Sequence, residues 1–203
     1  MRTQACESRS HPRILNTLRP GHHMTQNPSL STTISLDGTQ DITIEANRFA
    51  PQAAGSALVR SGDTVVFAAV VSGKPKADVD FFPLTVEYEE RYYAAGKIGG
   101  ARFVKREGRP SEEAVLSGRI VDRTIRPLFN SSIRNEIQVV LTVLALDENN
   151  DADVPAVIGA SLALATSDIP WGGPVGAMRL GLTNDSNSDF IINPTFAERA
   201  DCQ

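Results

Sequence analysis

From Thr32 onward, apolar and polar positions alternate with a period of two. Thr32–Leu36 and Asp41–Ala46 flank the turn pair Asp37-Gly38, so the pattern predicts a β-hairpin. Ser56–Ser61 and Thr64–Ser72 flank Gly62-Asp63 in the same way and predict a second hairpin. Within it, Val65-Val66-Phe67-Ala68-Ala69-Val70-Val71 is apolar at every position, which predicts a central strand covered on both faces. Pro83–Arg91 alternates again, with Leu84, Val86 and Tyr88 on one side and Thr85, Glu87 and Glu89 on the other.

The period then lengthens to that of a helix. Ser111 is the expected N-cap, with Glu112 and Glu113 against the positive end of the helix dipole. Leu116, Ile120 and Thr124 form one stripe, and Arg119, Arg123 and Arg126 share another face. Pro127 ends the helix. Glu136–Leu146 reads as a second buried strand. Asp153 is expected to cap a helix reaching about Ser167, with Val154, Val157, Ile158, Leu162 and Ala165 inward. Gly159 and Ala160 would let that helix approach a sheet closely. Pro174–Leu182 and Phe190–Asn193 predict a last hairpin around Asn184–Ser188, and Asn193-Pro194-Thr195 starts another helix. Strands first, then strands and helices mixed, predict one α+β domain over residues 31–203 with a mixed β-sheet.

Composition narrows the chemistry. The 203 residues are 22% charged and 41% hydrophobic, which excludes a disordered, collagen-like or coiled-coil chain. No window holds 18 uninterrupted apolar residues, so no transmembrane helix and no membrane partner are expected. Cys6 and Cys202 lie at opposite ends and make neither a metal spacing nor a disulfide framework, which favours a reducing compartment. The three histidines, His11, His22 and His23, precede residue 24. A Ser-His-Asp triad, a Cys-His pair and a histidine-ligated zinc are thereby excluded from the body of the protein.

Residues 1–30 read as a disordered or non-native extension. Arg2, Arg9, Arg13 and Arg19 face only Glu7 in the first 23 residues, and there is no apolar stretch of a secretory signal. A start codon placed upstream of a true start at Met24, a transit peptide and a disordered tail all fit. The corresponding location is the cytoplasm, or an organelle if the segment is a transit peptide.

The net charge of −4 hides an asymmetry. Residues 97–134 carry nine basic residues against Glu107, Glu112, Glu113 and Asp122, which leaves that stretch at +5. Such a concentration in an acidic chain fits either a localised anion site or a solvated charged helix. Its most pointed part is the glycine-punctuated run Ala94–Pro110, which holds Lys97, Arg102, Phe103, Lys105, Arg106 and Arg109 just before a helix N-terminus. Glycines admit close backbone approach, arginines bind phosphate oxygens in pairs, and an aromatic ring stacks on a base. RNA or phosphate contact and a charged structural loop are the two readings. It is no Walker A loop, because Ile98 follows Gly96-Lys97 where Ser or Thr is required.

Three other patterns are weaker. Asp147-Glu148-Asn149-Asn150-Asp151-Ala152-Asp153 lacks the glycine and the final glutamate of a calcium loop and reads as a solvated turn and helix cap. Asp78 and Asp80 are spaced like a magnesium-binding carboxylate pair, with no third ligand nearby in sequence. Arg119, Arg123 and Arg126 read either as a phosphate-binding row or as surface ion pairs with Asp122.

Several strings, in order from about residue 32 to 196, resemble the first RNase PH-like domain of the bacterial polynucleotide phosphorylase family. They are Val79-Asp80-Phe81-Phe82-Pro83-Leu84-Thr85-Val86, Tyr93-Ala94-Ala95-Gly96, Arg106-Glu107-Gly108-Arg109-Pro110-Ser111-Glu112 and Asp122-Arg123-Thr124-Ile125-Arg126-Pro127-Leu128-Phe129. Pro155-Ala156-Val157-Ile158-Gly159-Ala160-Ser161 and Gly173-Pro174-Val175-Gly176-Ala177 add to them. The resemblance implies a phosphate-dependent 3′-to-5′ exoribonuclease that releases nucleoside diphosphates and runs in reverse as a polymerase. It implies single-stranded RNA as substrate, inorganic phosphate as co-substrate, magnesium, a homotrimeric ring and partners in RNA-degradation complexes. The family's phosphate-binding serines and magnesium carboxylates belong to a second RNase PH-like domain, so none is carried over here and catalytic residues are expected outside a chain truncated at its C-terminus.

The family's first domain contributes a basic loop that contacts RNA. The positions matching it are Phe103, Lys105, Arg106 and Arg109, with Arg102 beside them and Arg126 expected near the same surface. The run Arg102-Phe103-Val104-Lys105-Arg106 departs from the common Phe-Phe-Arg-Arg form, and the stretch from Gly96 to Arg106 is one residue longer than the family's. A non-catalytic RNA-binding or scaffold module and a stand-alone RNase PH-type enzyme are the competing functions.

Overall fold

The structure, a computed structural model, describes residues 30–35, 40–75, 79–99, 108–147, 149–183, 190–200 and 202. Strands β1 (Leu30–Ile34) and β2 (Ile42–Ala46) pair antiparallel, as do β3 (Gly55–Ser61) and β4 (Thr64–Pro75). Both N-terminal hairpins thus form where the alternation places them. Gly62, at φ +59°, supplies the left-handed turn between β3 and β4, while the turn around Asp37-Gly38 lies outside the described residues.

Strand β5 (Leu84–Glu90) and strand β6 (Asn135–Ala145) complete a six-stranded sheet in the order β1-β2-β3-β4-β6-β5. Every ladder is antiparallel except β5 with β6, which is parallel. A parallel pair needs a long crossover, and helix α1 (Glu112–Ile125) provides it. Helix α2 (Asp153–Ala165) follows β6 and packs on β3 and β4, while α1 packs on β5. A two-stranded sheet of β7 (Leu180–Leu182) and β8 (Phe190–Ile192) and the short helix α3 (Phe196–Arg199) close the chain. The result is a mixed-sheet α+β fold, as the sequence predicts. The last hairpin is shorter than expected, since residues 174–179 join no ladder.

The core lies between one sheet face and the two helices. Val66, Ala68, Val70, Val139 and Leu141 meet Val121, Ile125, Ala160 and Leu164 there. Three apolar patterns read from the sequence meet the structure differently. First, β4 is central but buried on one face only: Val65, Phe67 and Ala69 are half-buried and Val71 is 44% exposed. Both helices lie on the opposite face, so an apolar run marked the middle of the sheet and not a second covering layer.

Second, α1 buries Ala114, Gly118, Val121 and Ile125, leaving Leu116 and Ile120 exposed. Small residues win this face because α1 lies close to β5: a Cβ on Gly118 would sit 3.4 Å from that of Tyr88. Third, α2 turns Ala156, Val157, Ala160, Ala163 and Leu164 inward, while Val154, Ile158 and Leu162 are half-buried and Ala165 is exposed. Of the inward set read from sequence, Val157 alone is fully buried. The close approach expected at Gly159 does occur, since a Cβ there would lie 3.2 Å from Ala68 Cβ.

Candidate nucleic-acid interface

β5 and β6 run parallel, so their carboxyl ends, Glu90 and Ala145, share one edge of the sheet. Helices α1 and α2 begin at that same edge. In open sheets with parallel strands, this edge is where loops and helix N-termini leave room for a ligand. Here it holds a groove of about 960 Å³.

One wall is a 3₁₀ turn, Tyr92–Ala95. It is fastened to β6 by Leu146 N, which donates to Ala94 O at 2.9 Å. Gly96, at φ +65°, closes the turn and donates to Tyr93 O at 3.0 Å. Lys97 N then donates to Tyr92 O at 3.0 Å. These bonds bring Tyr92 and Lys97 to the groove. The facing wall is the start of α1. Ser111 Oγ accepts from Ala114 N at 3.0 Å, the expected N-cap, and donates to Glu90 Oε2 at 3.1 Å. Gly108, Arg109 and Pro110 lead into this cap and line the groove beside it.

The charges divide into committed and uncommitted. Arg91 pairs with Glu89. Asp151 pairs with Arg179 and, at 2.7 Å, with Arg199, while Asp153 lies 3.3 Å from Arg179. Asp153 is therefore a first-turn ion-pair partner, not the cap expected from sequence; Ala152 holds the N-cap position without a side-chain bond. Burial, and then the charges of Asp153, Glu90 and Asp151, push the Tyr88 phenol above its ordinary range, so it stays a neutral hydroxyl. By contrast, Lys97 and Arg109 have no ion-pair partner among the described residues. They are the cations that the groove offers to an incoming anion.

Of the six residues expected to touch RNA, Arg102, Phe103, Lys105 and Arg106 lie outside the described residues. Arg109 stands on the groove rim. Arg126 stands at the other end of α1, about 20 Å away along the helix axis. Its guanidinium pairs with both Asp122 oxygens, at 2.6 and 3.0 Å, and donates to Leu84 O at 3.1 Å and Phe82 O at 3.4 Å. It ties the end of α1 to β5, and α1's arginine row is thus a surface ion pair at this position. The groove residues Tyr92 and Lys97 were not singled out from sequence as a pair. The glycine at 96 was their signal, since it forces a turn that returns the chain to the strand end.

The remaining carboxylates fit structural roles. Asp147 accepts from Asn149 N at 2.8 Å, Asn150 N at 2.5 Å and Asn150 Nδ2 at 2.9 Å, the solvated turn expected from sequence. Asp80 is exposed and Asp78 lies outside the described residues. Among the described residues, no three Asp, Glu, His or Cys converge on a metal-sized site. No helix among them is long and apolar enough to cross a membrane.

Residues 38–170 match the family model described as 3′ exoribonuclease family, domain 1. The polyribonucleotide nucleotidyltransferase of Exiguobacterium sibiricum is 52% identical over 164 residues, which are 81% of this chain and 22% of the relative. That of Synechococcus elongatus is 52% identical over 171 residues, 84% of this chain and 23% of the relative. That of Thermomicrobium roseum is 57% identical over 155 residues, 76% of this chain and 19% of the relative. The chain therefore spans roughly a fifth of these relatives. Among solved structures, rice Rrp46 shares the fold at a TM-score of 0.56 and 17% identity, over 90% of this chain and 75% of that one.

Proposed function

Because this chain belongs to the 3′ exoribonuclease family, as its domain 1, we propose that it is the RNA-contacting part of a phosphate-dependent 3′-to-5′ exoribonuclease. In that reaction an oxygen of inorganic phosphate attacks the terminal phosphodiester phosphorus. The 3′-oxygen of the penultimate nucleotide leaves, and a nucleoside diphosphate is released. The whole enzyme is a polyribonucleotide nucleotidyltransferase that uses magnesium, assembles as a homotrimer and works in the cytoplasm, or in an organelle if residues 1–23 direct it there. It joins other RNA-degrading proteins.

Among the described residues no three Asp, Glu, His or Cys side chains converge, so none of them is assigned to magnesium. This domain's part is to hold the strand and to help assemble the ring. The observation that carries the reading is the groove at the carboxyl ends of β5 and β6, rimmed by Lys97 and Arg109. Cations at a strand-end groove bind a polyanion and release its counterions.

Fluorescence anisotropy with the purified chain and a labelled single-stranded RNA tests this. Binding at about 50 mM salt that weakens steeply by about 200 mM is the expected result. Absence of binding at the lower salt overturns the reading.

A further inference from the structure

The six-stranded sheet has two edges, and they are finished differently. At the β5 edge, Arg126 Nη2 donates to Leu84 O at 3.1 Å, α1 packs on the strand, and Glu87 and Glu89 carry charge. Charged side chains and a covering element keep a strand edge from pairing with another chain. Strand β1 has none of this protection. Leu30-Ser31-Thr32-Thr33-Ile34 holds no charged residue and no proline, its ladder with β2 runs without a bulge, and all five residues are exposed. Among the described residues β2 is its only strand neighbour.

By class, the side chains of β1 read the same in both directions. Opposite residues of an antiparallel pair share a face, so Leu30, Thr32 and Ile34 stand on the side of Ala46, Ile44 and Ile42, their β2 partners. That is the side on which Ile158 and Leu162 of α2 pack. Leu30 is nevertheless 67% exposed and Ile34 44%, because the small core of Ile42, Ile44 and Val59 ends at β2. A two-fold axis through Thr32 sets Leu30 of one copy against Ile34 of another, Ser31 against Thr33, and Thr32 against itself. Apolar meets apolar and hydroxyl meets hydroxyl at every position, the cross-strand pairs that stabilise a sheet. The one charge on β2, Glu45, lies on the opposite face and pairs with Arg48 at 2.5 Å.

We propose that β1 is a self-pairing edge, at which two copies of this chain join antiparallel about Thr32 and their sheets become continuous. A contact of this two-fold kind closes at two copies. Leu30 and Ile34 of both copies then extend the core of Ile42 and Ile44 across the junction. Five residues make a small interface, so the dissociation constant is on the order of 100 µM. This proposal does not depend on the RNA-contact reading.

Sedimentation equilibrium of the purified chain, from about 10 to 500 µM, tests it and should show a monomer–dimer equilibrium. Thr32→Lys and Thr32→Glu each place like charges face to face at the axis and should weaken self-association at least about tenfold. An equal mixture of the two sets lysine against glutamate and should restore association to within about threefold of the parent. Thr32 is exposed, so neither change touches the core. Circular dichroism checks folding.

Hydrogen exchange of the parent gives a readout that needs no variant. The outward amides of β1 should exchange several-fold more slowly in concentrated than in dilute protein, and this decides alone if a charged variant does not fold. Equal exchange at both concentrations overturns the proposal. So does a parent that stays monomeric at about 500 µM, or one that forms a trimer. A dimer that survives Thr32→Lys, or a mixture of folded variants that stays monomeric, overturns it as well.

Discussion

The Ser111 hydroxyl donates to the Glu90 carboxylate at 3.1 Å, which joins the cap of α1 to the end of β5. The same oxygen accepts from Ala114 N, so one side chain serves both the helix and the groove wall. Loss of such a cap costs about 1 kcal/mol. Ser111→Ala should therefore lower the melting midpoint by about 2–4 °C in a chain of this size, and Ser111→Thr should hold it nearly unchanged. Thermal melts followed by circular dichroism check both; an unmoved midpoint for Ser111→Ala refutes the role.

Two glycines should behave in opposite ways. A Cβ on Gly55 would sit 2.1 Å from Ala163 O, a backbone atom of α2 that cannot step aside. Gly55→Ala must push α2 off β3, at about 1–3 kcal/mol or more. Around Gly108 nothing lies within 4 Å of the added carbon. Gly108→Ala should leave the urea midpoint where it is. Equal midpoints for the two variants would mean that α2 does not pack on β3 as described.

Much of this architecture was legible, for reasons specific to particular residues. Turn chemistry at Gly62-Asp63, alternation in Leu84–Glu90 and the Ser111 cap are local, and local rules suffice for them. The α1 core face was not legible, because size ranks Leu116 and Ile120 as core while the close approach of β5 selects Ala114 and Gly118. The parallel insertion of β6 between β4 and β5 depends on a crossover that no window of sequence displays. That insertion creates the shared strand end, so the groove, and Tyr92 in it, stayed hidden. The basic character of the segment around Arg109 was visible from charge alone.

Asp147 should make the fold acid-sensitive. Burial works to raise its carboxyl, but hydrogen bonds from the Asn150 side chain and from the amides of Asn149, Asn150 and Asp63 outweigh it and hold the group below its ordinary range. A carboxyl depressed in the folded state adds stability above the unfolded value, about 3.9, and that stability fades as pH falls through the folded value. Asp147→Ala should cost about 1–2 kcal/mol at pH 7. The gap between parent and variant should narrow below about pH 4. Urea denaturation at pH 7, 5, 4 and 3 measures it; a gap that widens toward acid contradicts the assignment.

The chain by itself should show no phosphorolysis. Its described residues bring no three metal-ligating side chains together, and it spans roughly a fifth of the relatives that carry the enzyme name. Incubation with single-stranded RNA, magnesium and phosphate should release no nucleoside diphosphate above a blank, by chromatography of the products. Phosphate-dependent release that disappears when Asp80 or Glu113 is changed to alanine would place catalysis inside this domain instead.

Arg109 and Arg126, read alike from sequence, should separate in experiment. Arg109 stands on the groove rim with no ion-pair partner among the described residues. Arg126 spends its guanidinium on Asp122 and on the carbonyls of Leu84 and Phe82. Removing a phosphate contact lowers the slope of log affinity against log salt by about 0.7 on a single strand. Arg109→Ala should show that change with an unaltered melt, since exposed cations add little to stability. Arg106→Ala combined with it should bring the loss to about 1.4, if Arg106 meets a second phosphate. Arg126→Ala should do the reverse. It removes the guanidinium bonds to Asp122, to the Leu84 carbonyl of β5 and to the Phe82 carbonyl just before it, so the melt should fall by about 2–4 °C while the salt slope holds. Binding across a salt series, paired with a melt for each variant, reads both axes. A slope that drops for Arg126→Ala and holds for Arg109→Ala would move the RNA path from the groove to the far end of α1.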